Sequence, residues 1–444
     1  MDANGSVPAR TEPGRAGRIG ILRPLRIRDF ALLWTGMATS LVGDGVFMVA
    51  LAWQVYELSN AVAALSVVGI AMSVPQVLFL LVGGVVSDRV DRRKVMIGAD
   101  VVRGAAVCLL GVLALIHAIR LWHLVLLGAF YGAGTAFFGP AFDAVVPDIV
   151  PPGLLSEANS LDQFVRPAAL RLVGPAAGGA LIAALGTGGA FLLDGGTFVV
   201  SIFATALIAP IAVHAGTDDG AASVLREVKE GLSFVRAQTW LWGTFAVATV
   251  AYLLFMGPVE VLLPYVVKFD LHRGASVLGY VFAAGGVGAI GAAAVMGQRR
   301  SPPRHITFIY VAWGLATFAV AGYGLARYPW QVMAASFAFN ALETAGTIVW
   351  ATTKHRFVPA ALLGRVSSFD WFISIGLVPV SFALTAPVAA AIGARTTFVA
   401  AGVIGGVVTL AGLFIPGMRD TERRERVPPG PLETPPALEP AVAR

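Results

Sequence analysis

The chain has 444 residues; 57% are apolar, only 13% are charged, and the net charge is +6 at neutral pH. Soluble domains carry about a quarter charged residues, so this deficit excludes an ordinary soluble globule, and repeated apolar runs of about 20 residues are what membrane-spanning helices require. The single cysteine, Cys108, excludes a disulfide framework, and the six scattered histidines lack metal-ligand spacing.

Residues 1–29 form a polar tail with six arginines (Arg10, Arg15, Arg18, Arg23, Arg26, Arg28) and no apolar core like that of a signal peptide. The first hydrophobic segment is therefore expected to remain as a span. Twelve spans follow, at about 30–54, 62–86, 95–117, 121–141, 160–185, 190–211, 241–265, 276–297, 306–326, 330–352, 367–391 and 396–416. The expected organisation is an all-α polytopic membrane protein. An N-terminal tail (1–29) leads into a six-helix half (30–212), a linker (213–240), a second six-helix half (241–417) and a tail (418–444). In the linker Leu225, Val228, Leu232 and Val235 recur at helical spacing among charged residues, which predicts an amphipathic helix along the membrane face. Beyond Gly417 the chain is charged and then Pro-rich, which predicts disorder.

Between the second and third spans, Gly84 to Lys94 turns the chain, and six of the seven positions from Asp88 to Lys94 are charged, all but Val90. A turn this basic belongs on the cytoplasmic side. Arg and Lys elsewhere follow suit, crowding the tails and alternate connections while the others hold few, so both termini are expected in the cytoplasm. That placement accounts for the positive charge without a nucleic-acid partner. The connection at 142–159 carries no basic residue and takes its side from its neighbours.

The chain also repeats itself. Val150 to Phe164 matches Val358 to Phe372 without a gap at an offset of 208 residues, including the Val-Pro pair, two leucines and the Asp162/Asp370 pair. The two copies lead into the fifth and eleventh spans. A displacement of six spans implies two halves inserted in the same orientation, with a site between them near the midplane. At the same offset, Gly84–Lys94 falls on 292–302, where the basic turn survives without its acid.

Gly84-x-x-x-Asp88-Arg89-x-Asp91-Arg92-Arg93-Lys94 resembles the loop signature between helices two and three of the major facilitator superfamily. Asp91 stands where the usual signature has Gly, a form familiar in twelve-helix exporters that include macrolide-efflux and enterobactin-type siderophore exporters. Leu25-x-x-x-Asp29-Phe30, Gly43-Asp44, Phe191-x-x-Asp194 and Val358-Pro359 with Gly364-Arg365-Val366 resemble that branch as well, so the resemblance runs from about Arg23 to Pro416. It implies the two-half fold, alternating access, and a conformational latch in which Asp88 meets the start of span eleven and Arg365. Asp88 is the residue of this turn expected to switch, with Arg89, Arg92, Arg93 and Lys94 setting orientation. In the fifth span, Gly174-Pro175-Ala176-Ala177-Gly178-Gly179 resembles the antiporter motif, which the family associates with export. Small residues there let helices approach closely, and Pro175 removes an amide donor. Relatives often place an arginine tied to proton coupling in the fourth span; Leu124–Phe138 has none.

Ionisable groups inside spans are costly and are functional candidates. Asp44 lies past the middle of span one, Glu260 in the outer third of span seven beside Pro258, and Glu343 near the middle of span ten with Asn340 one turn earlier. In the resembled fold spans one, four, seven and ten line the central cavity, where a carboxyl group serves proton exchange or binds a cationic drug. Asp162 with Arg166, and Asp100 with Arg103, are spaced to pair within their helices. Arg171 has no local partner, and Asp44 and Asp194 are the acids it is expected to meet; Asp194 itself reads as a residue that caps or pairs. Phe47, Trp53, Tyr131, Phe137, Phe138, Tyr252 and Phe255 either line a drug cavity or pack the core.

These features point to a secondary transporter, expected as a monomer in the cytoplasmic membrane, that exports lipophilic small molecules such as drugs or siderophores by proton antiport. The alternative is an ion-coupled uptake permease, which calls for a more polar cavity. No cofactor is expected: the chain has no phosphate-cradling loop and no clustered catalytic constellation.

Overall fold

The computed structural model describes residues 20–209, 221–299 and 302–424, and among these it is helical throughout, without strands. Arg10, Arg15 and Arg18 of the tail, the first part of the linker and residues 425–444 lie outside the described residues. Eleven helices are long and apolar enough to cross a membrane. One of them, Pro152–Ala206, is 55 residues long and reverses at Gly186, where φ is 71°. At 1.5 Å per residue it is long enough to cross twice. Its two arms flank the first helix from the same side of the sequence. A Cβ on Gly45 would meet Gly174 Cα at 2.9 Å, and one on Gly36 would meet Ser201 Cα at 3.2 Å.

The twelve spans are thus α1 (Arg28–Leu58), α2 (Val62–Arg89), α3 (Arg92–Leu115), α4 (Leu121–Ile149), α5 (155–185) and α6 (187–206) in one half. The other half holds α7 (Thr239–Asp270), α8 (Ala275–Gly297), α9 (His305–Leu325), α10 (Pro329–Phe357), α11 (360–392) and α12 (Ala394–Phe414). The α11–α12 reversal repeats the α5–α6 one, at Gly393 with φ 85°. Both positions need a residue without a Cβ, because left-handed backbone is costly for other side chains.

The repeat read from the sequence is structural. α4 and α10 begin and end 208 residues apart. Phe47 stacks on Tyr131 with ring centroids 4.3 Å apart, and at the same offset Phe255 meets Phe339 edge-on at 5.6 Å. The halves meet where small residues allow it. Gly179 on α5 lies against α8, so that a Cβ there would stand 2.8 Å from Ala275 O and 3.1 Å from Gly279 Cα.

At their ends away from the basic turn, α1 and α7 are locked together. Tyr56 Oη donates to Val261 O at 2.8 Å, Lys268 Nζ donates to Tyr56 O at 2.6 Å, and the Tyr265 and Phe269 rings each stand 5.7 Å from the Tyr56 ring. Near the basic-side end of α4, the exposed Asp143 side chain lies 3.9 Å from Arg166 of α5.

Two expectations about the connections change. The linker helix Ala221–Ala237 does more than lie along a membrane face: Val235 is buried, Gly231 sits against Arg365 and Phe369, and Glu230 Oε2 accepts from Arg365 Nη1 at 2.6 Å. Residues 418–424, expected to be disordered, are ordered. Met418 is buried beneath Thr244 and Tyr310, and Glu422 accepts from the Thr307 amide at 2.7 Å and the Thr307 hydroxyl at 3.0 Å, capping the start of α9. Charge composition predicted a free tail because it does not register a single buried Met and a carboxylate placed on orphan helix amides.

Replacing Gly179 by Val inserts a branched side chain where the halves touch. It is expected to lower stability by about 1–3 kcal/mol and to reduce transport, while Ala177→Val, at a half-buried position of the same motif, has a smaller effect on both. Thermal unfolding in detergent and a transport assay on the two variants check this.

Candidate functional site

The basic turn is a joint between helices. Asp91 N-caps α3, its Oδ1 accepting from the Arg93 amide at 3.0 Å. Arg92 pairs with Asp148 on α4 and donates to Ala144 O at 3.0 Å. Arg93 donates to Ala206 O at 2.8 Å and Thr205 O at 3.4 Å, satisfying carbonyls at the C-terminus of α6. The expectation that Arg92 and Arg93 only set orientation is therefore corrected. Both tie α3 to neighbours in its own half, a task for guanidinium donors that sequence spacing does not reveal. The surroundings of Gly84 and of the Asp88 side chain are not described, while Arg365 is held by Glu230.

At mid-depth in the N-terminal half, four helices bring together a buried polar cluster. Arg103 on α3 is 3% exposed and pairs with Asp100 on its own helix, as the spacing predicted. It also lies 3.6 Å from Asp44 Oδ2 on α1. Tyr131 on α4 donates to Asp44 Oδ1 at 2.5 Å, and Ser201 on α6 donates to Asp100 Oδ2 at 2.7 Å. The guanidinium lies 4.7 Å from the centroid of Phe138 and 4.7 Å from that of Phe198. Gly134 is required here, since a Cβ would stand 2.7 Å from Arg103 Cγ.

Arg171 meets neither Asp44 nor Asp194. A stretch of wide helical turns over Ala168–Val173 carries it, and its side chain, 52% exposed, reaches across to α10 of the other half. Arg171 Nη1 donates to Asn340 Oδ1 at 3.2 Å and lies 3.8 Å from Glu343 Oε2. The expected acids were wrong because Asp44 is held by Arg103 and Tyr131, and Asp194 on α6 is packed against Gly43 of α1. Glu260, on the widened turn Pro258–Leu262, is half-buried. A cation of the N-terminal half thus meets Asn340 and Glu343 of the C-terminal half.

Glu343 stands at the edge of a cavity of about 360 Å³ inside the C-terminal half. Tyr252 and Phe255 of α7, Trp313 of α9, and Phe339 and Trp350 of α10 form its aromatic wall. Its polar groups are few. Thr347 donates to Glu343 Oε1 at 3.0 Å, and at the basic-side end Lys354 pairs with Asp370, whose Oδ2 also accepts from Trp350 Nε1 at 3.1 Å. A largely apolar chamber with a few convergent polar groups is the usual form of a small-molecule site.

Over residues 19–441 the sequence matches the family described as "Transmembrane secretion effector", within the major facilitator superfamily. The chain belongs to that family. It is 28% identical to the multidrug efflux pump Tap of Mycolicibacterium fortuitum, over 90% of this chain and 97% of that protein. It is 26% identical to macrolide efflux protein A of Streptococcus pyogenes over 56% of this chain, spanning only 60% of that relative's length. A bacterial homologue of the lysosomal transporter Spinster, solved in an inward-facing, unoccupied conformation, matches with a TM-score of 0.60 at 15% identity, over 92% of this chain and 100% of that one. A bacterial homologue of the iron transporter ferroportin matches with a TM-score of 0.63 at 16% identity, over 87% and 98%. At such identities the two structures share the fold alone.

Of the candidate residues in the sequence, the fold brings Arg171, Asn340 and Glu343 together, whereas Asp44 belongs to a separate cluster. The aromatics divide the same way. Tyr252 and Phe255 line the cavity, while Phe47, Tyr131 and Phe138 pack the N-terminal cluster; Phe137 lies 6.1 Å from Phe79, and Trp53 sits beneath Lys268. Gly174 and Gly178 of the antiporter motif seat α5 on α1, Pro175 Cδ standing against Gly45, and Gly179 seats it on α8. Sequence reasoning missed Trp313, Trp350, Lys354 and Asp370. The repeat held a signal for the last of these, since Asp370 is the counterpart of Asp162, but Asp162 pairs with Arg166 on its own helix and Asp370 with Lys354 on another.

Arg103→Met leaves Asp44 and Asp100 without their cation. It is expected to destabilise the protein by about 3–5 kcal/mol. Arg171→Gln, half exposed between the halves, should leave the unfolding temperature nearly unchanged. Comparing the two unfolding temperatures in one detergent checks the assignment of Arg103 to structure and of Arg171 to the site between the halves.

Proposed function

We propose that this protein exports lipophilic small molecules, amines among them, from the cytoplasm by alternating access, driven by protons moving inward. The observation that carries this reading is the aromatic chamber of the C-terminal half with Glu343 at its edge, facing Arg171 of the opposite half. Substrate reaches the chamber from the basic side, which the positive-inside rule places in the cytoplasm. Its apolar body displaces water from the aromatic wall, and a cationic group on it competes with Arg171 for Glu343. Because that ion pair joins the two halves, exchanging one partner alters the attraction that holds them in their present arrangement. The close α5–α8 seat at Gly179 serves as the pivot, and the Tyr56–Lys268 seal is the contact that breaks when the outer side opens. The relatives' names, a multidrug efflux pump and a macrolide efflux protein, support export as the direction.

Cells producing the protein are expected to accumulate less of a lipophilic cationic dye than cells without it, and an uncoupler that collapses the proton gradient should abolish the difference. Dye accumulation raised by the protein would overturn the direction. Glu343→Gln removes the charge and keeps the shape. It should weaken efflux of the cationic dye about tenfold, the scale of a charge-assisted hydrogen bond, and affect an uncharged lipophilic substrate less. Concentration series for the two substrates distinguish a lost charge contact from a general defect.

A further inference from the structure

The N-terminal cluster holds more acid than its cation can serve. Beside Asp44 and Asp100 stands a third carboxyl group, Asp194 on α6, which is 1% exposed. It is pressed against α1 at Gly43, where a Cβ would collide with its Oδ1. Among the described residues, the partners of the three differ. Asp100 is bound by Arg103 and by Ser201, and Asp44 by Tyr131 and by Arg103. Asp194 receives only the Thr197 hydroxyl, at 3.2 Å on Oδ1, and its Oδ2 has no partner at all. The facing titratable and charged groups are Asp44 from α1, Arg103, Asp100 and Cys108 from α3, and Tyr131 from α4. Arg103 is the one cation among them, and it is already engaged by two acids. Two negative charges on one guanidinium leave no compensation for a third, and a buried carboxylate with an orphan oxygen is among the costliest groups a membrane protein can hold.

We propose that Asp194 is the proton-carrying carboxyl of this transporter, protonated on Oδ2 in the present arrangement and deprotonated when the cluster rearranges to bring the Arg103 Nε–H to it. That Nε–H is itself without a partner here, so the cluster contains an unused donor as well as an unused acceptor. The step balances: the proton leaves Oδ2 for water, and the carboxylate left behind gains a charge-assisted hydrogen bond. The route to the substrate site runs through α1. Gly43 abuts Asp194, Asp44 belongs to the cluster, and Gly45 is seated on Gly174 of α5, three residues beyond Arg171. The proton site and the substrate chamber thus occupy different halves, joined by α1 and α5. This deepens the antiport reading above and rests on it.

The test uses the purified full chain in detergent with the lipophilic cation ethidium as probe. In an antiporter, protonation and substrate binding oppose each other, so wild-type affinity should rise with pH, by up to about tenfold per unit for one linked proton. Asp194→Asn mimics the neutral acid and should bind ethidium with the same affinity at pH 6 and pH 8, whereas Asp194→Glu should restore the pH dependence. An Asp194→Asn protein that keeps the wild-type slope overturns the inference and leaves the antiport reading standing. A wild-type affinity independent of pH overturns both. Failure of Asp194→Asn to fold, seen as loss of the monodisperse peak while Asp194→Glu retains it, also overturns the inference, because it would mean that the ionised carboxylate is part of the resting structure.

Discussion

A guanidinium buried at the middle of a membrane-embedded half constrains everything packed around it. Arg103 remains charged under any ordinary condition, so the low-dielectric interior must supply compensation from all sides. It does so with Asp100 below, Asp44 from α1, and two aromatic faces from α4 and α6. Four of the six helices are thereby fixed in rotation and depth. Gly134, Gly43 and Gly104 then follow as positions where the cluster leaves no room for a side chain.

The second half has the same helix plan without that constraint. Phe255 and Phe339 occupy the places of Phe47 and Tyr131, and Tyr252 takes the place of Asp44. With no guanidinium and no acid partner to gather the helices, the equivalent region is a chamber walled by aromatic rings. Duplication therefore produced two similar bundles with different interiors, one closed by charge and one open for an apolar guest. The charges the second half does hold, Glu343, Glu260 and the Lys354–Asp370 pair, lie at the chamber's edges or toward the other half. Arg171 of the opposite bundle partners Glu343 there, and Lys354 and Asp370 offset each other.

Communication between two such bundles needs contacts that are close, few and polar enough to be exchanged. Arg171 provides one, lifted toward α10 by the wide turns of Ala168–Val173. The glycines that follow it provide the other, letting α5 lie against both α1 and α8. A residue as small as Gly at 179 leaves backbone against backbone, which slides and tilts more readily than interlocked side chains do. The Tyr56–Lys268 lock at the ends away from the basic turn is built differently, from a hydroxyl and an ammonium that each donate to a main-chain carbonyl.

What the sequence by itself determined was the membrane class, the twelve spans, the twofold repeat, the family and the pairs spaced along one helix. Each depends on local composition or on periodicity, and a bilayer enforces both strictly because an unpaired backbone has no water to turn to. Asp100 with Arg103 and Asp162 with Arg166 were legible for that reason. Which helix faces which was decided only in the tertiary structure. Arg171 found Asn340 and Glu343 where spacing suggested Asp44 or Asp194, Arg92 and Arg93 turned out to bind α4 and α6, and Asp194 emerged as a buried acid left over from a cluster contributed by four helices. Contacts between spans depend on the rotation of each helix about its axis. In chains apolar on nearly every face, that rotation is set by a handful of buried charges and glycines whose partners lie far away in the sequence.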